Sequence, residues 1–164
     1  MKALQSYEYL SDTNYKQKKK AKCLSCIGNL YEQISEIDKA CDYLQKAIDI
    51  SIDIYSCLEK YDYKDMISRH HHLGELYRCN GKNLEALKEY HAEKVIREKH
   101  VSKDSERLVE CCFKIACTYN ALKESMKAIE YLNEALKYCQ DKNTPYNEKM
   151  KKKINRTMEC VSKK

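Results

Sequence analysis

Small and aromatic residues recur along this chain in a fixed order. Gly28, Gly74 and Ala116 each open a matching run, and Tyr31, Tyr77 and Tyr119 follow three residues later. Ala40, Ala86 and Ala128 stand twelve residues after each start, and Ala47 and Ala135 stand nineteen after, with Glu93 breaking that column in the middle run. The interval is 46 residues from Gly28 to Gly74 and 42 from Gly74 to Ala116. Such a period marks an array of helical hairpins, in which tiny residues let neighbouring helices approach and tyrosines fill the wedge between them. It predicts an all-α fold and directs attention to binding surfaces rather than to catalysis.

Composition agrees with that constraint. Only three Gly and one Pro occur in 164 residues, so few breaks interrupt long helices. Apolar residues return every three or four positions, with no sustained alternation of period two. One stripe is Leu24, Ile27, Leu30, Tyr31 and Ile34. Beyond a break at 35–38, Ala40, Tyr43, Leu44, Ala47, Ile48, Ile52 and Ile54 form a second helix ending near Lys60. A second pair starts near Asp62, with Leu73, Leu76 and Tyr77 inward, a left-handed turn at Gly81, and Leu84, Ala86, Leu87, Tyr90, Val95 and Ile96 on the partner helix. The third pair opens in the capping-rich stretch 102–105 and carries Leu108, Cys112, Ile115, Ala116 and Tyr119, then Ala128, Ile129, Tyr131, Leu132, Ala135 and Leu136. Thr144-Pro145 reads as an N-cap followed by proline at the first helical position. The helix that follows buries Met150, Ile154, Met158 and Val161 on one face and presents lysines on the other, as a terminal cap requires.

The resulting division is a short helix or remnant of an upstream repeat over 1–17, three helix pairs over 18–142 (18–60, 62–102 and 103–142), and a basic capping helix over 143–164. A remnant would make the chain a fragment of a longer array.

The repeat runs resemble the tetratricopeptide repeat, whose helical hairpins carry Leu-Gly, a tyrosine three residues on, and alanines in the second helix. The segments Ile27-Gly28-Asn29-Leu30-Tyr31 and Leu73-Gly74-Glu75-Leu76-Tyr77 match, and Ile115-Ala116-Cys117-Thr118-Tyr119 follows them more loosely. The common period is 34 residues, so these intervals resemble the long-repeat members, among them kinesin light chain and spindle-orientation scaffolds. The resemblance implies a right-handed α-α superhelix whose first helices line a concave groove that binds a peptide or helix of a protein partner. Carried onto this sequence, the groove residues are Lys22, Ser25, Asn29, Glu32 and Gln33 in the first repeat. The second repeat gives Ser68, His71, Glu75, Arg78 and Cys79, and the third gives Glu110, Phe113, Cys117 and Asn120. Asn29 matches the family's peptide-clamping asparagine, Arg78 has the fork for a carboxylate, and Phe113 offers an apolar seat. Lys22 and Arg78 are balanced by Glu32, Glu75 and Glu110, which argues against a dedicated carboxylate clamp.

Other chemistry is poorly supported. His70, His71 and His72 diverge by about 100° per residue on a helix and cannot share one metal. Cys23 and Cys26 form a CxxC inside a helix, with no second pair to complete a zinc site. The ten cysteines fall at helical positions and read as reduced small hydrophobes. No phosphate-cradling glycine loop, HExxH or nucleophile elbow occurs, so neither catalysis nor a cofactor is expected. No run of about 20 apolar residues and no signal core is present, which favours a cytoplasmic or nuclear location. The net charge of +6 is concentrated in residues 149–164, and the body is neutral. The expected function is therefore an interaction module. Self-association through the 3–10 segment or an exposed apolar edge is the structural alternative. Attachment to an anionic surface or nucleic acid through the basic terminal helix is the electrostatic one.

Overall fold

The structure is a computed structural model. It describes residues 2–57, 63–100, 105–140 and 144–162, with side chains over 13–55, 63–100, 106–140 and 144–162. The expected ends near Lys60 and Asp62, the capping stretch 102–104, the boundary at 142–143 and the side chains of 3–10 lie outside the described residues. Among the described residues there are seven helices and no strand: α1 (Lys2–Gln33), α2 (Ile37–Cys57), α3 (Tyr63–Cys79), α4 (Asn83–His100), α5 (Ser105–Ala121), α6 (Ser125–Gln140) and α7 (Pro145–Ser162). They fall into two compact units, residues 1–69 and 70–164.

Residues 2–17 read in the sequence as a short helix or the remnant of an upstream repeat. They are the first half of α1, which runs unbroken to Gln33. The reason is local: Tyr15 to Leu24 contains no Gly or Pro, and its lysines and alanine are good helix formers.

Three interhelix turns repeat one geometry. The amides of Glu36, Lys82 and Glu124 donate to the carbonyls of Tyr31, Tyr77 and Tyr119 at 2.9, 2.8 and 2.9 Å. The residues just before, Ser35, Gly81 and Lys123, are left-handed, with φ of 62°, 73° and 62°. Their amides donate to Glu32, Arg78 and Asn120. These are Schellman caps, so the repeating tyrosine also supplies the carbonyl that closes its own helix. The next helix begins at once, because Ala40, Ala86 and Ala128 donate to the carbonyls of Glu36, Lys82 and Glu124, each at 3.0 Å. Only the glycine turn was legible beforehand, since serine and lysine carry no left-handed signal.

In the first unit, Gly28 of α1 meets Ala40 and Leu44 of α2, and Tyr31 meets Tyr43. Ala40 and Ala47 are fully buried, and the Tyr31 and Tyr43 rings stack 5.3 Å apart. A Cβ on Gly28 would lie 3.1 Å from Leu44 Cγ and 3.2 Å from the Ala40 carbonyl, so the small column is a requirement of helix approach. Arg69 is 7% exposed and is held by hydroxyls: its Nε donates to Ser25 Oγ at 2.9 Å and its Nη1 to Ser51 Oγ at 3.0 Å.

In the second unit, Gly74 lies under the Tyr90 ring, where a Cβ would come within 2.7 Å of Cε1. Ala86, Leu87, Tyr90, Cys111 and Ile115 form one core cluster. Val109, Cys112, Phe113 and Ala116 pack with Leu132, Ala135, Cys139, Met150 and Ile154 in another. Burial pushes the Cys112 thiol up to about 12. Thr144 caps α7, accepting from the Asn147 amide at 3.2 Å, and Met150, Ile154 and Val161 are buried as expected.

Several apolar residues read as inward are exposed: Ile27, Leu30 and Ile34 on the first helix, Ile52 on the second, and Leu84 and Val95 on the fourth. Periodicity defines a stripe, but the contact face is narrower than the stripe. On α4 the buried residues are Ala86, Leu87, Tyr90 and Glu93, and Leu84 and Val95 lie off that line.

Candidate partner-binding groove

The first-repeat residues divide by exposure. Lys22, Asn29 and Gln33 are exposed on α1, as is Ser68 on α3, while Glu32 is half-buried. Ser25 differs, because its hydroxyl donates to the Ala21 carbonyl at 3.0 Å and accepts from Arg69. It is a brace of the first unit.

In the second unit, five of the expected residues converge. Glu75 and Arg78 of α3 and Glu110, Phe113 and Cys117 of α5 line one cavity of about 310 Å³. Lys114 and three residues of α7 (Tyr146, Met150 and Lys153) complete its wall. Lys153 Nζ stands 4.4 Å from the centre of the Phe113 ring, a cation–π contact across the cavity. Phe113 itself is 8% exposed and belongs to the core, so it offers a ring edge rather than an open seat. Asn120 is half-buried, and its amide oxygen is shielded from solvent with no donor among the described residues.

The floor of this cavity is a polar network. Glu75 accepts from the Tyr90 hydroxyl at 2.5 Å and from Arg78 at 2.9 Å, and it pairs with Lys114 at 2.9 Å. Burial on its own would raise the Glu75 pKa, but the hydrogen bonds from Tyr90, Lys114 and Arg78 outweigh it and hold the carboxyl at about 2. Burial and the Glu75 carboxylate raise the Tyr90 phenol above its usual range. The same carboxylate keeps Arg78 firmly protonated. The Arg78 fork is thus already engaged with Glu75 and is not wholly open to a ligand.

Two histidines read as solvated or partner-facing also turn inward. His70 Nδ1 is 2.8 Å from Glu89 Oε2, and His70 is 6% exposed. His71 Nδ1 is 3.0 Å from Glu93 Oε2, and its Nε2 is 3.0 Å from Lys114 Nζ. With the lysine donating, His71 carries its proton on Nδ1 and donates a hydrogen bond to Glu93. Glu93 is 1% exposed and also takes Arg97 at 2.8 Å. The residue that interrupts the small column therefore anchors a buried ionic cluster tied to the cavity through His71 and Lys114.

Beyond the cavity, α7 continues as a basic face. Tyr146, Met150, Thr157 and Cys160 floor a shallow groove of about 630 Å³, rimmed by Lys149, Lys152, Lys153 and Arg156. Those four cations have no ion-pair partner among the described residues, whereas Lys151 is taken by Glu148 at 2.8 Å. Lys114, Tyr146 and Lys153 are the wall residues that reading the sequence omitted. The signal was present: α7 keeps the apolar spacing of a first helix, so its inner face joins the groove. Cys23, Cys26, Cys79 and Cys160 are exposed, unlike Cys41, Cys111, Cys112 and Cys139. Among the described residues no three His, Cys, Asp or Glu side chains converge on a possible metal position, and no helix is long and apolar enough to cross a membrane.

A family model described as tetratricopeptide repeat matches residues 21–51 and 109–142. No curated protein sequence matches the chain. Among solved structures, BtubC (BKLC) from P. vanneervenii is similar over 91% of this chain, at 18% identity and a TM-score of 0.63. This chain spans 60% of that one's length. The nearly identical TPR-like repeats assigned to a kinesin light chain of Podosopora anserina are similar over 98% of this chain and 82% of that one, at 16% identity and a TM-score of 0.66. Their Q17M form gives 15% identity and a TM-score of 0.65 over the same shares. At these identities the likeness is one of fold. Residues 21–51 and 109–142 match the tetratricopeptide repeat, and they lie within an all-α fold similar to that of the TPR-like kinesin light chain repeats.

Proposed function

We propose that this chain is a non-enzymatic interaction module that holds a segment of a protein partner in the groove of its second unit. Tetratricopeptide repeats generally mediate protein–protein interaction, and the family match supports the class. The observation that carries the finer reading is the cavity shared by α3, α5 and α7, in which apolar and charged groups alternate over a small area. Glu75 and Glu110 balance Lys114 and Arg78 within it. The surplus charge of the groove lies on Lys149, Lys152, Lys153 and Arg156, so a bound segment places an apolar side chain beside Phe113 and Met150 and carboxylates toward α7.

Affinity purification from a lysate identifies the partner, and exposed-residue variants test the groove. Lys153→Glu with Arg156→Glu should lower recovery of that partner at least tenfold while leaving the circular dichroism melt unchanged. Equal recovery from the double variant would remove the groove from the mechanism. The same α7 cations supply the competing reading, attachment to a polyanion. Retention on heparin that falls steeply with salt, with no protein recovered, would favour it.

A further inference from the structure

The first unit leaves one helix face uncovered. On α1 and its continuation, Lys16, Lys20, Cys23, Ile27, Leu30 and Ile34 succeed one another at intervals of three and four, which places them on one face. All six are exposed, Leu30 at 60% and Ile34 at 66%. The register of the repeat shows what this face is. Ile27 and Leu30 correspond to Ile115 and Thr118 on α5, and Cys23 corresponds to Cys111. Those counterparts are at most 1% exposed, and Cys111 and Ile115 pack with Ala86, Leu87 and Tyr90 of α4. The α1 face is therefore one built to receive a helix, with Leu30 where α5 has Thr118, and among the described residues it is left exposed.

We propose that a second copy of this chain covers it, through α1 packed antiparallel on its own equivalent across a two-fold axis. The charge pattern is self-complementary in that arrangement and in no parallel one. Lys16, Lys18, Lys19, Lys20 and Lys22 precede the apolar stripe, and no acidic residue lies between Thr13 and Tyr31. Glu36 and Asp38 follow the stripe and are exposed at the hairpin tip, where Glu36 also pairs with Lys39 at 3.3 Å and the acidic charge exceeds that one cation. With Ile27 of one copy against Leu30 of the other, Cys23 falls opposite Ile34, and Lys19 and Lys20 reach the partner's tip, where Glu36 and Asp38 lie. A parallel pair would instead set five lysines against five. A two-fold contact of this kind is isologous, so it closes at the dimer.

Sedimentation velocity across a concentration series on the whole chain tests the idea. The expected result is a monomer–dimer equilibrium that Leu30→Glu with Ile34→Glu weakens at least tenfold. Both positions are exposed, so the circular dichroism spectrum should not change. Lys20→Glu should weaken the dimer, and adding Glu36→Lys should restore it, which a non-specific apolar contact would not show. Monomer at every concentration up to about 100 μM would overturn the proposal, as would a dimer indifferent to the Leu30 and Ile34 changes. Failure of the charge reversal to rescue would overturn the antiparallel register.

Discussion

Replacing Gly74 with alanine opposes two well-separated forces. Alanine gains about 1 kcal/mol over glycine in a helix interior. Against that, the new Cβ would lie 2.7 and 2.9 Å from Tyr90 Cε1 and Cδ1. The ring cannot swing away, because Tyr90 is fully buried and its hydroxyl is held by Glu75. Overpacking of this kind costs about 1–3 kcal/mol. Gly74→Ala should therefore destabilise the protein by about 1 kcal/mol net, lowering the midpoint of thermal unfolding by a few degrees. The other repeats indicate how to test the cause. Leu132 stands where Tyr90 stands, opposite Ala116, so a leucine at that position can accept alanine. In a Tyr90→Leu background the same Gly74→Ala change should become stabilising by about 1 kcal/mol. A double-mutant cycle by urea unfolding reads the sign inversion as a coupling of about 2 kcal/mol. Stabilisation by Gly74→Ala in the wild-type background, or additivity of the two changes within about 0.5 kcal/mol, would refute the steric account.

Lys123→Gly should stabilise by about 0.5–1 kcal/mol in thermal unfolding, because the left-handed φ of 62° strains a residue with a Cβ and glycine adopts it freely. Glu93→Ala completes the small column sterically yet should cost about 3 kcal/mol in urea unfolding, because it leaves Arg97 and His71 without their buried carboxylate. Glu75→Gln should alter the acid limb of stability. A carboxyl held at about 2, below its ordinary 4.5, contributes stability in full above about pH 4.5 and loses it as pH falls toward 2. The wild-type advantage over the variant should shrink across that window in urea midpoints taken from pH 6 to pH 2. A gap independent of pH would contradict the Glu75 network.

The sequence by itself determined the helix pairs, their register and the places where helices approach most closely. Gly28, Gly74, Ala40, Ala86 and Ala128 are legible because close approach demands a missing side chain, and that demand is written at one position each time. The Thr144 cap and the buried face of α7 were legible for the same local reason. The tertiary structure alone decided which apolar residues of a stripe are covered, because coverage depends on where the next helix passes: Ile27 and Ile115 share a register, yet one is exposed and the other buried. It decided the fate of the charges as well. Whether His71 or Glu75 faces a ligand or another residue of the fold depends on side chains 15 to 43 residues away, Tyr90, Glu93 and Lys114, which no local pattern brings together.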